Sequence, residues 1–288
     1  MSWAVALKLG RVSNLPTVWT NMVAGIVLAG GTIIDPRTVP LVVALSLFYV
    51  GGMYLNDAFD AEIDAKERPE RPIPSGAVAR ATVYGLGYGM LAVAMLLLGW
   101  IGVEYGAGPW PAASGALLSA AIVAYNWRHK DNPISPIVMG LCRVFVYVTA
   151  GVCFAAAISA PLAVGAGLML CYLIGLTYVA KQENIGRVEN MWPLLFLAAP
   201  IVYGGTRLDR GLTAAAIWVA IVVLVLAALR FVKRRGPGDI PKAVVSLIAG
   251  ISLLDAMFIA GAGEPRLAGL AVLGFLLTLA LQRFVPGT

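Results

Sequence analysis

Long apolar stretches separated by short polar segments run along the whole chain. Each stretch is about 16 to 23 residues long and contains at most one charged residue. Helices that cross a hydrocarbon core of about 30 Å need such lengths, whereas barrel strands show alternating polarity over about ten residues. The pattern therefore predicts ten helical segments, at about 18–34, 39–57, 80–102, 109–127, 135–157, 161–181, 191–206, 212–231, 243–262 and 267–283.

The predicted fold is an all-α polytopic membrane bundle of about nine to ten transmembrane helices. The seventh stretch is short and the last two could form a re-entrant hairpin, so nine and ten spans both stay open. Composition agrees, because 60% hydrophobic residues, 12% charged residues and a mean hydropathy of +0.85 are far from soluble-protein averages. No soluble domain or linker interrupts the pattern, so we expect one transmembrane domain over residues 1–288.

Lysine and arginine are distributed unevenly between the two sets of loops. With ten spans and a cytoplasmic N-terminus, sixteen of the 21 cations fall on the cytoplasmic side and four on the other. Cytoplasmic loops are normally the positive ones, so both termini are predicted to be cytoplasmic, in a plasma (inner) membrane. Anionic lipid headgroups account for the net charge of +6, and no basic domain indicates a nucleic-acid partner. The oligomeric state stays open.

Residues 56–76, NDAFDAEIDAKERPERPIPSG, place acids and cations directly after a charge-free stretch. Asn56, Asp57, Asp60 and Asp64 lie at offsets of 0, +1, +4 and +8. If the helix continues through them, these spacings put the four side chains on one face. Like charges stacked in this way disfavour a helix unless a cation neutralises them. The spacing therefore predicts a cation site, and the alternative is a set of ordinary solvated loop charges.

Mg²⁺ fits this set of oxygen donors best. It is usually held by one or two carboxylates, several waters and substrate phosphates, which makes a diphosphate the natural further ligand. Lys66, Arg68 and Arg71 follow directly and supply contacts for phosphate oxygens. The proline-rich segment 68–76 cannot form a regular helix, so we expect a rigid turn that returns these cations toward the membrane.

The segment 56–76 resembles the UbiA superfamily of intramembrane prenyltransferases. The matching residues are Asn56, Asp57, Asp60 and Asp64, followed by the sequence RPIPSG at 71–76. The likeness extends along most of the chain. Arg11 and Asn14 resemble the polar start of the family's first span, and Tyr125 with Lys130 resembles its conserved Tyr-x-x-x-x-Lys pattern after the fourth span.

This resemblance implies a UbiA-like bundle around a cavity that opens to lipid. Mg²⁺ would bind a polyprenyl diphosphate there, and the prenyl group would pass to an aromatic or lipid-like acceptor. Asp57 and Asp60 would be catalytic, and the full metal-ligand set would be the four residues of the acidic stripe. The residues assigned to substrate binding are Arg11, Asn14, Lys66, Arg68, Arg71, Tyr125, Lys130, Tyr178, Arg187 and Glu189.

The second acidic loop departs from the family pattern. Members of the resembled family typically show Lys-Asp-x-x-Asp-x-x-x-Asp after the sixth span, whereas this chain reads KQENIGRVEN over 181–190. Lys181 and Glu189 match, but Gln182 and Ile185 stand where aspartates are expected. Lys181 and Glu183 are therefore the catalytic candidates in this loop, with Glu183 acting from a shifted position.

Two functional interpretations follow from this departure. The first is an active Mg²⁺-dependent prenyltransferase with one strong metal site. The second is a non-catalytic UbiA-like protein that binds or transports an isoprenoid or a small amphiphile. The sequence YVAKQEN also resembles the atypical UbiA-like EboC branch. A purely structural membrane protein would leave the acidic stripe unexplained.

Arg143 is the one cation inside a predicted span, in the fifth segment. An unpaired charge there costs at least about 2.5 kcal/mol, so Arg143 is expected to face the cavity or a partner. Asp255 in the ninth segment is the obvious intramembrane partner. A role near the substrate and a structural Arg–Asp pair both stay open.

Overall fold

The computed structural model describes residues 1–128, 132–185 and 192–287, with the backbone alone for 182–185. It is all-α over these residues, as predicted. The helices are α1 (Trp3–Leu9), α2 (Leu15–Leu28), α3 (Thr38–Glu67), α4 (Arg80–Glu104), α5 (Trp110–Trp127), α6 (Ser135–Val152), α7 (Ala160–Ile185), α8 (Ala198–Gly205), α9 (Leu212–Arg234), α10 (Asp239–Gly261) and α11 (Pro265–Leu281). Short 3₁₀ turns lie at Val12–Asn14, Trp192–Leu197 and Leu208–Arg210.

Six of these helices are long and apolar enough to cross a membrane: α3, α4, α6, α7, α9 and α10. Shorter apolar helices span Val12–Leu28, Trp192–Gly205 and Pro265–Leu281. Every predicted segment overlaps one of these helices, so the predicted polytopic helical bundle is confirmed. The protein is an integral membrane protein.

The structure differs from the predicted boundaries at the N-terminal end. Helix α1 is a short helix that the hydropathy pattern missed, because seven residues are too few for an apolar stretch of spanning length. Helix α2 ends at Leu28, six residues earlier than predicted, where Gly30 adopts a φ of +80°. Glycine takes this left-handed conformation without steric cost and so stops the helix.

Helix α10 lies at the centre of the bundle and packs against α2, α7, α9 and α11. In its apolar 18-residue window 83% of the residues are buried, against 28% in the corresponding window of α9. Helices in lipid associate through close van der Waals packing, because lipid tails are as apolar as the helices and provide no hydrophobic driving force. A helix buried to this extent must therefore be packed by other helices on all sides. Helix α10 is therefore the core helix, and α9 presents most of its surface to lipid.

Two close helix contacts depend on glycine. A Cβ at Gly51 on α3 would lie 2.9 Å from the carbonyl oxygen of Gly87 on α4. A Cβ at Gly25 on α2 would lie 2.7 Å from the carbonyl oxygen of Tyr147 on α6. Small residues let membrane helices approach backbone to backbone. These contacts fix α3 against α4 and α2 against α6, and so position the polar residues described below.

Candidate active site

A cavity of about 300 Å³ opens between α3, α6, α7 and α10. Polar side chains of residues 56–71 line the part that we call its mouth, and aliphatic side chains of α7 and α10 contribute to its wall. The polar and aromatic lining residues are Arg11, Asn14, Tyr49, Asn56, Asp60, Asp64, Glu67, Arg68, Arg71, Tyr125, Arg143 and Thr177. A site of this shape suits a molecule with a charged head and an apolar body.

The acidic stripe lies on one buried face of α3. The helix runs on through Glu67, ten residues beyond the predicted end of the segment at 57. Asn56, Asp57 and Asp60 are each 7% exposed and Asp64 is 3% exposed. The predicted arrangement on one face is therefore confirmed, and the interpretation as solvated loop charges is wrong, because these carboxylates are turned inward.

Two arginines from outside α3 neutralise this stripe. Arg11 donates from Nη2 to Asn56 Oδ1 and Asp57 Oδ1, both at 3.2 Å. Arg71 donates from Nη1 to Asp57 Oδ1 at 3.4 Å and to Asp64 Oδ2 at 3.0 Å. Buried carboxylates need such charge-assisted partners. One guanidinium thus joins two carboxylates seven residues apart.

The turn after α3 carries Arg71 back to the helix that precedes it. Arg68 ends α3 in a non-helical conformation. The Ser75 amide then donates to the Arg71 carbonyl at 3.0 Å, and Gly76 closes the turn with a φ of +76°. Prolines at 69, 72 and 74 prevent helical continuation. The expected rigid turn is present, and it places Arg68 and Arg71 in the cavity lining.

Asn126 on α5 is a site residue that the sequence analysis missed. Its Oδ1 accepts a hydrogen bond from Asn56 Nδ2 at 3.2 Å, and its Nδ2 donates to the carbonyl of Gly52 at 3.0 Å. It is buried and directly follows Tyr125, which lines the cavity. The sequence did carry a signal for it, because Asn126 is a polar residue inside the apolar stretch 109–127 and directly follows the motif residue Tyr125.

A smaller apolar pocket of about 80 Å³ adjoins the inner side of the cavity. The two share Tyr49, Met53, Tyr125, Met139 and Arg143 as lining residues. Most of the remaining wall is formed by aliphatic and aromatic side chains of α3, α5 and α6. The apolar pocket therefore lies directly next to the polar cavity, and these five residues belong to the wall of both.

The C-terminal segment closes one side of the cavity mouth. Asn14 Nδ2 donates to the carbonyl oxygen of Gly287 at 3.0 Å, and Gln282 Nε2 donates to Asn14 Oδ1 at 2.9 Å. Gly287 is buried and lines the cavity. Asn14, predicted to bind substrate, thus uses both ends of its amide to hold the C-terminal segment. No sequence signal indicated this contact.

Arg143 and Asp255 are linked through Asn21. Arg143 donates from Nη1 to Asn21 Oδ1 at 2.9 Å, and Asn21 Nδ2 donates to both Asp255 oxygens at 2.8 and 3.0 Å. Thr20 and Tyr147 also donate to the fully buried Asp255 carboxylate. The expected partnership with Asp255 is thus indirect, through Asn21, and Arg143 also lines the cavity. A role near the substrate stays a prediction.

Several predicted site residues lie away from the cavity lining. Lys66 is exposed to solvent, because it lies on the opposite face of α3. Tyr178 packs against the core around α7 and α10. Lys181 Nζ donates to the carbonyl of Asn132 at 2.8 Å. Lys130, Arg187 and Glu189, as well as the side chain of Glu183, lie outside the described residues.

Comparison with known proteins identifies the family. The family model described as "UbiA prenyltransferase family" matches residues 17–247, which is most of the chain. The chain belongs to the UbiA prenyltransferase family. The predicted resemblance is therefore confirmed, and with it the class of the protein as an enzyme that transfers a prenyl group from a prenyl diphosphate to an acceptor. The narrower likeness to the EboC branch stays a prediction.

Relatives of this UbiA chain carry one recurring name, digeranylgeranylglyceryl phosphate synthase. The protein of that name from Methanopyrus kandleri is 30% identical over 260 residues, which cover 90% of this chain and 89% of the relative. Its counterpart from Natronomonas pharaonis is 32% identical over 212 residues, 69% of this chain and 68% of the relative.

Two solved structures share the UbiA fold. One, from a study of digeranylgeranylglyceryl phosphate synthase in membranes, has a TM-score of 0.65 at 18% identity and covers 90% of this chain and 98% of its own. The other, the apo structure of a UbiA homologue from Aeropyrum pernix K1, has a TM-score of 0.61 at 13% identity, covering 91% and 96%. At these identities the likeness concerns the fold alone.

Proposed function

We propose that this protein transfers a polyprenyl group from a polyprenyl diphosphate to a hydroxyl group of a glyceryl phosphate lipid, with Mg²⁺ as cofactor. The observation that carries the proposal is the buried acidic face of α3, on which Asn56, Asp60 and Asp64 line a cavity that shares a wall with an apolar pocket. The names of the relatives, which specify two geranylgeranyl groups on one glyceryl phosphate, support this acceptor class.

The acidic stripe fits Mg²⁺ through the chemistry of its donors. Carboxylate and amide oxygens of Asn56, Asp57, Asp60 and Asp64 are hard ligands, and consecutive members lie within about one helical turn. Among the described residues no group of three or more acidic, histidine or cysteine side chains closes on a metal position. Phosphate oxygens of the substrate would complete the coordination, as is usual for this ion.

Two properties of this site would promote prenyl transfer: neutralisation of the charge on the leaving diphosphate and exclusion of water from the allylic centre. When bound, Mg²⁺ would neutralise charge that builds up on the diphosphate leaving group. Arg68 and Arg71 lie in the same lining and would contact its oxygens. The bond from prenyl C1 to the diphosphate oxygen breaks, the acceptor hydroxyl oxygen bonds to C1, and the hydroxyl proton leaves to a base. The apolar pocket keeps water away from the allylic centre.

The second loop would complete the diphosphate site from the other side. Lys181 and Glu183 are proposed as catalytic here, with Arg187, Glu189 and Lys130 as substrate contacts. The hydrogen bond from Lys181 to the Asn132 carbonyl ties the end of α7 to the segment before α6 and supports this grouping. Substrate and acceptor would enter from the membrane, and both termini would lie in the cytoplasm of a cell whose plasma membrane holds the protein.

Transfer can be tested directly on the purified protein in lipid nanodiscs. Radiolabelled geranylgeranyl diphosphate, geranylgeranylglyceryl phosphate and Mg²⁺ should yield a lipid product with two prenyl groups, identified by mass spectrometry. Asp57→Asn should abolish the product. Glu62→Gln is the matched control, because Glu62 lies on the same helix but on its exposed face, paired with Arg80. If the protein binds the diphosphate but forms no product and releases no pyrophosphate with any acceptor, it is a non-catalytic binder instead.

A further inference from the structure

Arg143 is a cation inside a membrane-spanning helix whose contacts are with neutral groups. Its guanidinium donates to Asn21 Oδ1 at 2.9 Å and to Thr17 Oγ1 at 3.1 Å, and it lies 5.5 Å from the centre of the Tyr49 ring. Within the described part of the chain, no carboxylate forms an ion pair with it. A guanidinium has five N–H donors, so these contacts leave donors for a ligand.

The position of Arg143 is distinct from that of the diphosphate site. It lines both the polar cavity and the apolar pocket, where the two meet. Tyr49, beneath its guanidinium, precedes Asn56 by seven residues on α3, which corresponds to about 10 Å along the helix. The arginines that contact the acidic stripe, Arg11 and Arg71, lie at the mouth.

A second polar group in the same cavity lacks a partner. The hydroxyl oxygen of Thr177 on α7 is buried, lines the cavity and has no hydrogen-bond partner among the described residues. An unsatisfied buried hydroxyl costs about 1–3 kcal/mol unless a ligand or water satisfies it. The cavity therefore offers, besides the guanidinium of Arg143, a hydroxyl that a polar group of a ligand could satisfy.

We propose that Arg143 binds an oxyanion on the head group of the acceptor, a phosphate or a carboxylate. This inference rests on the proposed function, because it assigns the second substrate of that reaction. The prenyl chain is a hydrocarbon and offers no group that would match a guanidinium. An uncompensated cation here would also oppose the allylic cation that develops during transfer, whereas a bound anion cancels it. The negative charge of the bound acceptor thus neutralises Arg143 before the prenyl diphosphate ionises.

Asn21 and Asp255 are positioning residues for Arg143. The amide of Asn21 accepts from Arg143 and donates to Asp255, so it fixes the guanidinium relative to α2 and α10. Asp255 in turn accepts from Thr20 and Tyr147, which holds its carboxylate in place. A preorganised guanidinium binds an oxyanion with little loss of side-chain entropy.

Steady-state kinetics of Arg143→Gln and Arg143→Lys test this assignment. The KM for the phosphate-headed acceptor should rise about tenfold or more in Arg143→Gln and less in Arg143→Lys, while the KM for the prenyl diphosphate stays within twofold. With a neutral acceptor, the same lipid without its phosphate, the acceptor KM should not rise in Arg143→Gln. Asp255→Asn should raise the same acceptor KM by a smaller factor. Equal changes in both KM values, or the same loss with the neutral acceptor, would overturn the proposal.

Binding measurements separate this inference from the proposed function. Wild type and Arg143→Gln are compared for binding of a phosphate-headed lipid and of an aromatic carboxylate, in the presence of an unreactive prenyl thiodiphosphate. Arg143-dependent binding of either anion without turnover of a glyceryl phosphate lipid would refute the proposed function and support the oxyanion site. If neither anion depends on Arg143 in a variant that keeps the wild-type melting temperature, the oxyanion site is refuted. If Arg143→Gln fails to fold, the same binding measurements are made on Arg143→Lys, which keeps the charge but not the guanidinium geometry. Weaker binding of the anions in this variant supports the oxyanion site, and unchanged binding refutes it.

Discussion

The side-chain amide of Asn14 donates to the backbone carbonyl of Gly287, 273 positions further along the chain, at an N···O distance of 3.0 Å. Gln282 completes the contact by donating to the Asn14 oxygen at 2.9 Å. The segment before the first membrane helix and the last residues of the chain thus form one wall of the cavity. Changes at the C-terminus are therefore expected to reach the active site.

Gly287→Ala should raise the KM for the prenyl diphosphate several-fold with little change in melting temperature. A Cβ at this position would lie 2.8 Å from Asn14 Oδ1, which is closer than such atoms approach, so either the Asn14 amide or the C-terminal segment must shift and the contact at the cavity mouth is disturbed. Gly269→Ala on the exposed side of α11 is the matched control, because its Cβ would meet nothing within 4 Å. Identical kinetics in the two variants would show that this wall has no part in substrate binding.

Asp60→Asn should weaken Mg²⁺-dependent diphosphate binding about tenfold or more and leave the fold intact. Asp60 lies in the centre of the acidic stripe and lines the cavity, and the amide keeps its shape but removes its charge. Isothermal titration of a diphosphate with and without Mg²⁺ measures the effect, with Glu62→Gln as the control from the exposed face. Unchanged Mg²⁺-dependent affinity would remove Asp60 from the metal site.

Restoring aspartates at both 182 and 185 should tighten Mg²⁺-dependent diphosphate binding and raise transfer. Gln182 and Ile185 are the two positions where the second loop departs from the family pattern, and Ile185 cannot ligate a metal. Mg²⁺ titration of wild type against the double variant measures the change. Weaker binding in the variant would mean that Glu183 and Glu189 already hold the ion, since added acids would then only repel each other.

Cysteines introduced at Ala65 and Glu104 should be labelled from opposite sides of a sealed membrane. Both positions are exposed, at the end of α3 and at the far end of α4, and the uneven distribution of cations predicts that Ala65 lies on the cytoplasmic side. A membrane-impermeant maleimide applied to vesicles of known orientation reads this out. The unmodified chain gives the background from its three native cysteines, which are buried or half-buried. Labelling of both positions from the same side would contradict the proposed orientation.

The hydropathy pattern and the spacing of acids were sufficient to predict the bundle and the face of α3 that carries the stripe. These features are local, since a helix of fixed pitch decides which side chains share a face. The contacts of Asn14 with the C-terminal segment and of Asn56 with Asn126 were missed. They join residues far apart in sequence, and one of the partners is a backbone carbonyl, so residue identity carries no signal for them.

The central position of α10 has a consequence for biosynthesis. Helices α2 and α6 leave the ribosome long before α10, and they carry Thr20, Asn21 and Tyr147, whose shared acceptor is Asp255. Until that residue is made, these three donors lack the buried acceptor that they share in the finished bundle. We therefore expect the first half of the protein to stay in contact with the insertion machinery, or to have these polar side chains hydrated by water and lipid headgroups. This state would last until residue 255 is translated and α10 packs into the centre of the bundle.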